Sequence, residues 1–121
     1  EIAAAQGEIE RTTGIRPRFF RAPFGVRNPF LDPVLHDLDL QYVSWTRRGF
    51  DTIEPDPEKV TARLTRHLAA GDILVLHDGR AQQRGLASPN RRADTLAVTA
   101  RLLEAIASAR LRAVTLRGAF A

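Results

Sequence analysis

One histidine ends the most apolar segment of the chain. The stretch "ILVLHDG", residues 73–79, runs through aliphatic side chains to His77. An imidazole exchanges protons near neutral pH, so His77 could act as a general acid or base. Because alternate residues of a strand share a face, His77 is expected to point the same way as Ile73 and Val75. A lone histidine at a strand end is structural about as often as it is functional, so the residues near His77 are needed to distinguish the two roles.

Two other segments carry unusual residues near the end of a predicted strand. "RFFRAPFG" contains Arg21, and "YVSWTRRGFD" contains Asp51 and Trp45, the single tryptophan. Taken alone, an arginine after a strand is usually a surface charge, and a tryptophan there usually belongs to the core. The carboxyl ends of parallel strands, however, bring side chains from separate segments together. These residues and His77 therefore predict a site at one rim of a parallel sheet.

Helices and strands alternate along the sequence. Spacing of apolar residues and capping signals predict four helices: residues 1–13 ending at Gly14, a helix capped by Asn28 with Pro29 first, a helix capped by Asp56 and ending at Gly71, and residues 89–110. Apolar runs predict four strands: residues 18–23, 40–45, 72–77 and 111–116. Alternation at this spacing predicts an α/β fold with parallel strands and crossover helices.

Each predicted helix has an apolar stripe that could face the sheet. The stripes are Ile2, Ala5 and Ile9; Phe30, Leu31, Val34, Leu35 and Leu38; Val60, Leu64 and Leu68; and Leu96, Thr99, Leu103 and Ile106. His67 lies beside the third stripe and is interpreted as a residue at the edge of the core. His36 is interpreted as exposed.

The composition is typical of one small globular domain with an arginine-rich surface. The 121 residues are 44% hydrophobic and 26% charged, with a net charge of +4. The arginines are dispersed, which favours a solvated surface over a nucleic-acid interface. The absence of cysteine excludes disulfides and thiolate sites, and no apolar run approaches the ~20 residues of a membrane span. The chain starts without Met inside a predicted helix, so we expect a piece of a longer protein.

Three motifs resemble those of the polysaccharide deacetylases, the family 4 carbohydrate esterases with a NodB-homology domain. "FFRAPFG" resembles their Arg-x-Pro-Tyr/Phe-Gly motif, "VSWTRRGFDT" their Trp-plus-Asp motif, and "ILVLHDG" their Leu-x-His motif. Their order and intervals also agree. The resemblance spans residues 1–121 as the C-terminal portion of one such domain, and it implies part of a distorted, TIM-barrel-like (β/α) barrel.

The resemblance implies a metal-dependent hydrolase that removes acetyl groups from N-acetylated or O-acetylated polysaccharide, acting on a carbon–nitrogen bond that is not a peptide bond. The family uses a divalent metal, with zinc the expected ion. His77 resembles the general acid, Asp51 the carboxylate that orients it, and Arg21 the arginine that holds the base aspartate. An aspartate partner would favour the protonated, proton-donating form of the histidine.

The resemblance also implies three substrate-binding positions. The backbone N–H of Phe24 corresponds to the donor that stabilises the tetrahedral oxyanion, Trp45 to the aromatic wall of the groove, and Val75 to the leucine that lines the methyl pocket. Phe24 replaces the commoner tyrosine, and Ala22 replaces the usual first proline. Val75 is smaller than leucine, which predicts a slightly wider acyl pocket.

The early motifs of the family are absent from this sequence. The family's metal site uses a His-x-x-x-His pair, whereas no two of His36, His67 and His77 are four residues apart. We therefore expect no metal ligands within this chain, and no deacetylase activity from the chain alone. Two alternatives remain: a catalytically degenerate, carbohydrate-binding member of the same fold, and a basic nucleic-acid-binding domain, for which no motif is present. The family suggests export to the periplasm or cell envelope; the sugar and the oligomeric state are left open.

Overall fold

The structure is a computed structural model that describes residues 1–77 and 94–120. The helices are α1 (Ile2–Thr13), α2 (Leu31–Asp37), α3 (Pro57–Thr65), α4 (Thr95–Ser108) and α5 (Leu116–Ala119). The strands are β1 (Phe19–Phe20), β2 (Gln41–Tyr42), β3 (Arg47–Arg48) and β4 (Leu74–Val75). The chain forms two compact units, of which the first ends at Ser44 and the second begins at Trp45. None of the described helices is both long enough and apolar enough to cross a membrane.

In the first unit, β1 and β2 pair in parallel, with Phe19 opposite Gln41. Helix α2 covers a small core formed by Ala22, Leu31, Leu35 and Leu40. Helix α1 ends as predicted at Gly14, whose φ of 69° is the left-handed conformation that glycine adopts most easily.

The face that α1 buries differs from the predicted stripe. Gln6 is buried, and its Nε2 donates hydrogen bonds to the carbonyls of Pro17 (3.2 Å) and Leu38 (3.1 Å). Ile9, in the predicted stripe, is instead exposed. The amide can be buried because both bonds replace those it would make to water.

In the second unit, β3 and β4 pair in parallel, with Arg48 opposite Val75. Helices α3 and α4 form the core through four buried side chains: Val60, Leu64, Val98 and Leu102. Leu74 and Leu76 pack against this core, so Val75, between them, belongs to the opposite face of β4 and is also buried. Both faces of β4 are therefore covered, fully at Val75 and partly at Leu74, but the strand spans Leu74–Val75 and not the predicted residues 72–77.

Helix α3 is shorter than predicted. It starts with the predicted Asp56 cap, whose side chain accepts the Glu58 N–H at 2.8 Å, but it ends at Thr65 and not at Gly71. The guanidinium of Arg47, from another segment, donates to the carbonyls of Arg66 and His67, the two residues that follow the helix. His67 has a φ of 56° and is exposed, so its predicted place at the core edge is wrong. His36 is exposed, as predicted.

Helix α4 buries a different face from the predicted one. Val98 and Leu102 are in the core, whereas Leu96 and Leu103 are 81% and 53% exposed. Apolar residues occur on several sides of this helix, so periodicity alone does not select the buried side. Its observed cap is Asp94, which accepts the N–H groups of Leu96 and Ala97. Residues 89–93 of the predicted helix lie outside the described residues.

Other boundaries differ from the predictions as well. Strands β1 and β2 are two residues long each, within the predicted residues 18–23 and 40–45. Residues 111–116 do not form the predicted last strand: residues 111–115 have no regular structure, and the Thr115 side chain caps α5 by accepting the Gly118 N–H at 3.1 Å. Helix α2 starts at Leu31 and not at Pro29, because the Asn28 side chain accepts the Phe30 N–H at 2.9 Å and forms a turn first. The predicted parallel α/β pairing is confirmed, while the described residues do not show a barrel.

Candidate active site

Asp51 and His77 meet just beyond the carboxyl ends of two paired parallel strands, β3 and β4. The backbone N–H of His77 donates to Asp51 Oδ2 at 2.7 Å, and His77 Nδ1 lies 3.0 Å from Asp51 Oδ1. The carboxylate side chain is 1% exposed, and the imidazole is 52% exposed. A buried carboxylate thus holds one edge of a ring that solvent or a bound molecule can reach.

The contact fixes which ring nitrogen carries the proton in the neutral form of His77. A carboxylate oxygen only accepts hydrogen bonds, so Nδ1 must be the donor to Asp51. Nε2 is then the nitrogen through which the ring can exchange a proton with a bound molecule. Asp51 cannot turn away easily, because its second oxygen is held by the His77 backbone N–H.

A tight turn after β3 delivers Asp51 to this position. Gly49 is buried against α3, where an added Cβ would lie 2.6 Å from Val60 Cγ1 and 3.0 Å from Leu64 Cδ1. Phe50 follows with a φ of 61°, a left-handed conformation that costs energy in a residue with a side chain. Because the backbone passes so close to α3, position 49 requires glycine.

An ion pair fastens β3 to the start of β4. Arg47 Nε donates to Asp72 Oδ2 at 2.5 Å, and Asp72 also accepts from the Thr46 hydroxyl (2.8 Å) and the Ala69 N–H (2.9 Å). The hydrogen bond from Arg47, followed by those from Ala69 and Thr46, lowers the pKa of Asp72 to about 2. These bonds connect the two strands that precede Asp51 and His77.

Sequence reasoning assigned no role to four of the residues that support the site. Thr95, at the start of α4, donates its hydroxyl to the carbonyl of His77 at 3.2 Å, and Gly49, Arg47 and Asp72 act as described above. A glycine within an otherwise strand-like segment is a signal of close backbone approach and could have identified Gly49. The other three have no local sequence signal, because their partners are 18 to 26 residues away.

The expected substrate-binding residues of the second unit lie near the same turn. Trp45 is partly buried, and the guanidinium of Arg48 lies 5.9 Å from the centroid of its ring. The same guanidinium lies 4.1 Å from the ring centroid of Phe50. Val75 is buried on β4, two residues before His77.

Arg21 and Phe24 belong to the first unit. Arg21 donates from Nε to the carbonyl of Val43 (3.3 Å) and from Nη2 to that of Ser44 (3.0 Å), so it anchors the segment that follows β2. Phe24 occupies a 3₁₀ turn, Pro23–Gly25, with a φ of 56° and a ring that is 95% exposed. The "RAPFG" motif therefore forms a compact turn directly after β1.

A metal-binding cluster is not found among the described residues. No three histidine, aspartate or glutamate side chains of residues 1–77 and 94–120 come together in a group that could hold a metal ion. The described residues therefore do not supply a ligand set for the metal that the resemblance implies.

Comparison with known proteins agrees with the resemblance found in the motifs. No protein-family profile matches the chain. Among solved structures, the chain is similar to a family 4 carbohydrate esterase from Streptomyces lividans in complex with acetate, with a TM-score of 0.76 and 25% sequence identity. The match covers 96% of this chain and 54% of that chain, so this chain spans about half the length of the esterase. The resemblance to the family 4 carbohydrate esterases is confirmed.

Proposed function

We propose that this chain forms part of a hydrolase that removes acetyl groups from N-acetylated or O-acetylated polysaccharide. The observation that supports this proposal best is the contact between the buried Asp51 carboxylate and the half-exposed His77 ring, 3.0 Å apart. It lies at the strand ends of a chain whose fold is similar to that of a carbohydrate esterase. A histidine held in this way is suited to proton transfer.

His77 is the proposed general acid. When the tetrahedral intermediate collapses, Nε2 of the protonated ring donates its proton to the leaving nitrogen, or to the leaving oxygen of an ester. Asp51 orients the ring through Nδ1, and the His77 backbone N–H keeps the carboxylate in place. A positioned acid of this kind contributes about 10²–10⁴-fold to the rate.

The remaining roles follow the resemblance. We assign the Phe24 backbone N–H to the developing oxyanion, Trp45 to the wall against which the sugar packs, and Val75 to the acetyl methyl group. Arg21 is assigned to orienting a base aspartate that lies outside this chain. The hydrogen bonds from Arg21 to Val43 and Ser44 show in addition that its side chain supports the local backbone.

A divalent metal, with zinc the expected ion, is proposed for the whole protein only. In this family it supplies an activated water. The described residues do not offer a ligand set for it. We propose that the metal ligands and the base lie in the part of the domain that corresponds to the other half of the esterase, and that the 121-residue chain alone has no deacetylase activity.

Acetate release from N-acetylated chitooligosaccharides tests the proposal. The enzyme is a protein that contains this chain together with the family's base aspartate and its metal site with the His-x-x-x-His pair. His77→Ala should lower kcat by about 10²–10⁴-fold and leave the metal content unchanged. His36→Ala, at an exposed position, is the matched control and should keep full activity. Near-full activity of His77→Ala, or loss of the metal, would contradict the assignment, while sugar binding without any acetate release would favour the degenerate binding protein.

A further inference from the structure

Arg48 is an exposed arginine held against two aromatic rings beside the candidate active site. Its guanidinium lies 4.1 Å from the ring centroid of Phe50 and 5.9 Å from that of Trp45. Stacking against a ring uses the flat face of the guanidinium and leaves its N–H edge available for hydrogen bonds. The two rings thus restrict an otherwise flexible cation before any ligand binds.

The other charged side chains of residues 47–54, the loop that carries Arg48, each have a partner of opposite charge or a histidine partner. Arg47 pairs with Asp72, Arg63 with Glu54 at 2.9 Å, and Asp51 contacts His77. No ion pair joins Arg48 to a carboxylate of residues 1–77 and 94–120. The loop therefore presents one preorganised positive charge that its own carboxylates do not neutralise.

There is also an open hollow beside Phe50, the ring on which Arg48 stacks. This hollow of about 240 Å³ is lined by Phe50, Ile53, Glu54 and Arg63. Arg48 lies opposite Val75 in the β3–β4 pair, two residues before His77 on the neighbouring strand. Two residues of a strand span roughly 7 Å and neighbouring strands lie about 5 Å apart, so the backbones of Arg48 and His77 are roughly 8–9 Å apart, a distance that a disaccharide can bridge.

We propose that Arg48 is a specificity-determining residue that binds a carboxylate of the substrate. The preferred substrate is then an acidic polysaccharide in which carboxylate-bearing sugars lie next to acetylated sugars. This inference rests on the proposed function, since it takes Trp45 as a wall of the sugar groove. Arginine suits this role better than lysine because its planar fork matches the two oxygens of a carboxylate.

Calorimetric titration of the 121-residue chain at low salt tests the proposal. The ligands are a hyaluronan hexasaccharide, in which glucuronic acid alternates with N-acetylglucosamine, and the neutral N-acetylchitohexaose. We expect the acidic ligand to bind about two- to fivefold more tightly, the scale of an exposed charge pair, and this preference to weaken as salt is added.

Two substitutions identify the residue responsible. Arg48→Gln should bring the ratio of the two affinities to about one, and Arg48→Lys should keep only part of the preference. Arg112→Gln removes the same charge from another exposed position and should leave the ratio unchanged. Circular dichroism of each variant checks that it folds.

The outcomes separate the specificity from the function on which it rests. Equal affinity for both hexasaccharides, or a preference that survives Arg48→Gln, would overturn the role of Arg48 and leave a carbohydrate-active protein. No saturable binding of either hexasaccharide would overturn the role of Arg48, whereas the carbohydrate function is decided separately by the acetate-release assay of the larger protein.

Discussion

Replacing Gly49 with alanine tests how the turn before Asp51 is built. The added Cβ would lie 2.6 Å from Val60 Cγ1 and 3.0 and 3.1 Å from two atoms of Leu64. Both side chains are 0% exposed, so they cannot relieve the clash by moving into solvent. Overpacking of this kind costs about 1–3 kcal/mol. With a urea m-value of about 1 kcal/mol/M, the unfolding midpoint should fall by about 1–3 M.

Trp45 fluorescence is the assay, because this single tryptophan belongs to the same unit as Gly49. Gly7→Ala is the control: an added Cβ there meets nothing within 4 Å, and alanine inside a helix should stabilise it by about 0.5–1 kcal/mol, read by circular dichroism. A Gly49→Ala midpoint within experimental error of the wild type would show that the backbone does not pass α3 as closely as described.

Three further predictions have definite expected outcomes. The pKa of Asp72 falls from 3.8 to about 2 on folding, so its contribution to stability is present above pH 4 and is lost as the pH falls towards 2. Asp72→Asn should therefore lower the free energy of unfolding at pH 7 and flatten the acid limb of a plot of that free energy against pH. Asp51→Asn should allow the proton of neutral His77 to move from Nδ1 to Nε2, which ¹⁵N NMR of the ring detects; an unchanged spectrum would contradict the hydrogen bond. Leu64→Ala should lower the free energy of unfolding by about 2–5 kcal/mol, whereas Leu96→Ala, at a position that is 81% exposed, should change it by less than about 0.5 kcal/mol. Equal effects of the two substitutions would show that the core is wrongly assigned.

The family resemblance implied that Asp51 orients His77, and the structure places the two side chains in contact. Both residues follow segments that form neighbouring parallel strands, and such strands bring their carboxyl ends to one edge. The strand that precedes Asp51 was not predicted. It contains Arg47 and Arg48, which have no alternating apolar pattern, and it forms because the N–H groups of Thr46 and Arg47 donate to the carbonyl of Ile73 at 2.9 and 3.2 Å.

Other differences between the predicted and observed helices have the same physical origin, because they depend on contacts with residues distant in the sequence. Helix α3 ends early at the point where Arg47, from another segment, binds the carbonyls of the two residues that follow the helix. Helix α4 turns Val98 and not Leu103 inward because α3 presents Val60 and Leu64 to it. Local periodicity finds the elements, but the choice of face and endpoint depends on contacts that only the folded chain makes.

Dependence on the leaving group tests the central claim, that His77 is a general acid, most directly. An N-acetylated sugar loses a poor leaving group, an amine that must be protonated, whereas 4-nitrophenyl acetate loses a phenolate that leaves without a proton. In a protein that combines this chain with the family's metal and base motifs, we predict that His77→Ala lowers kcat for the N-acetylated sugar by about 10²–10⁴-fold and leaves hydrolysis of the phenyl ester nearly unchanged. An equal loss on both substrates would contradict the role of His77 as the acid.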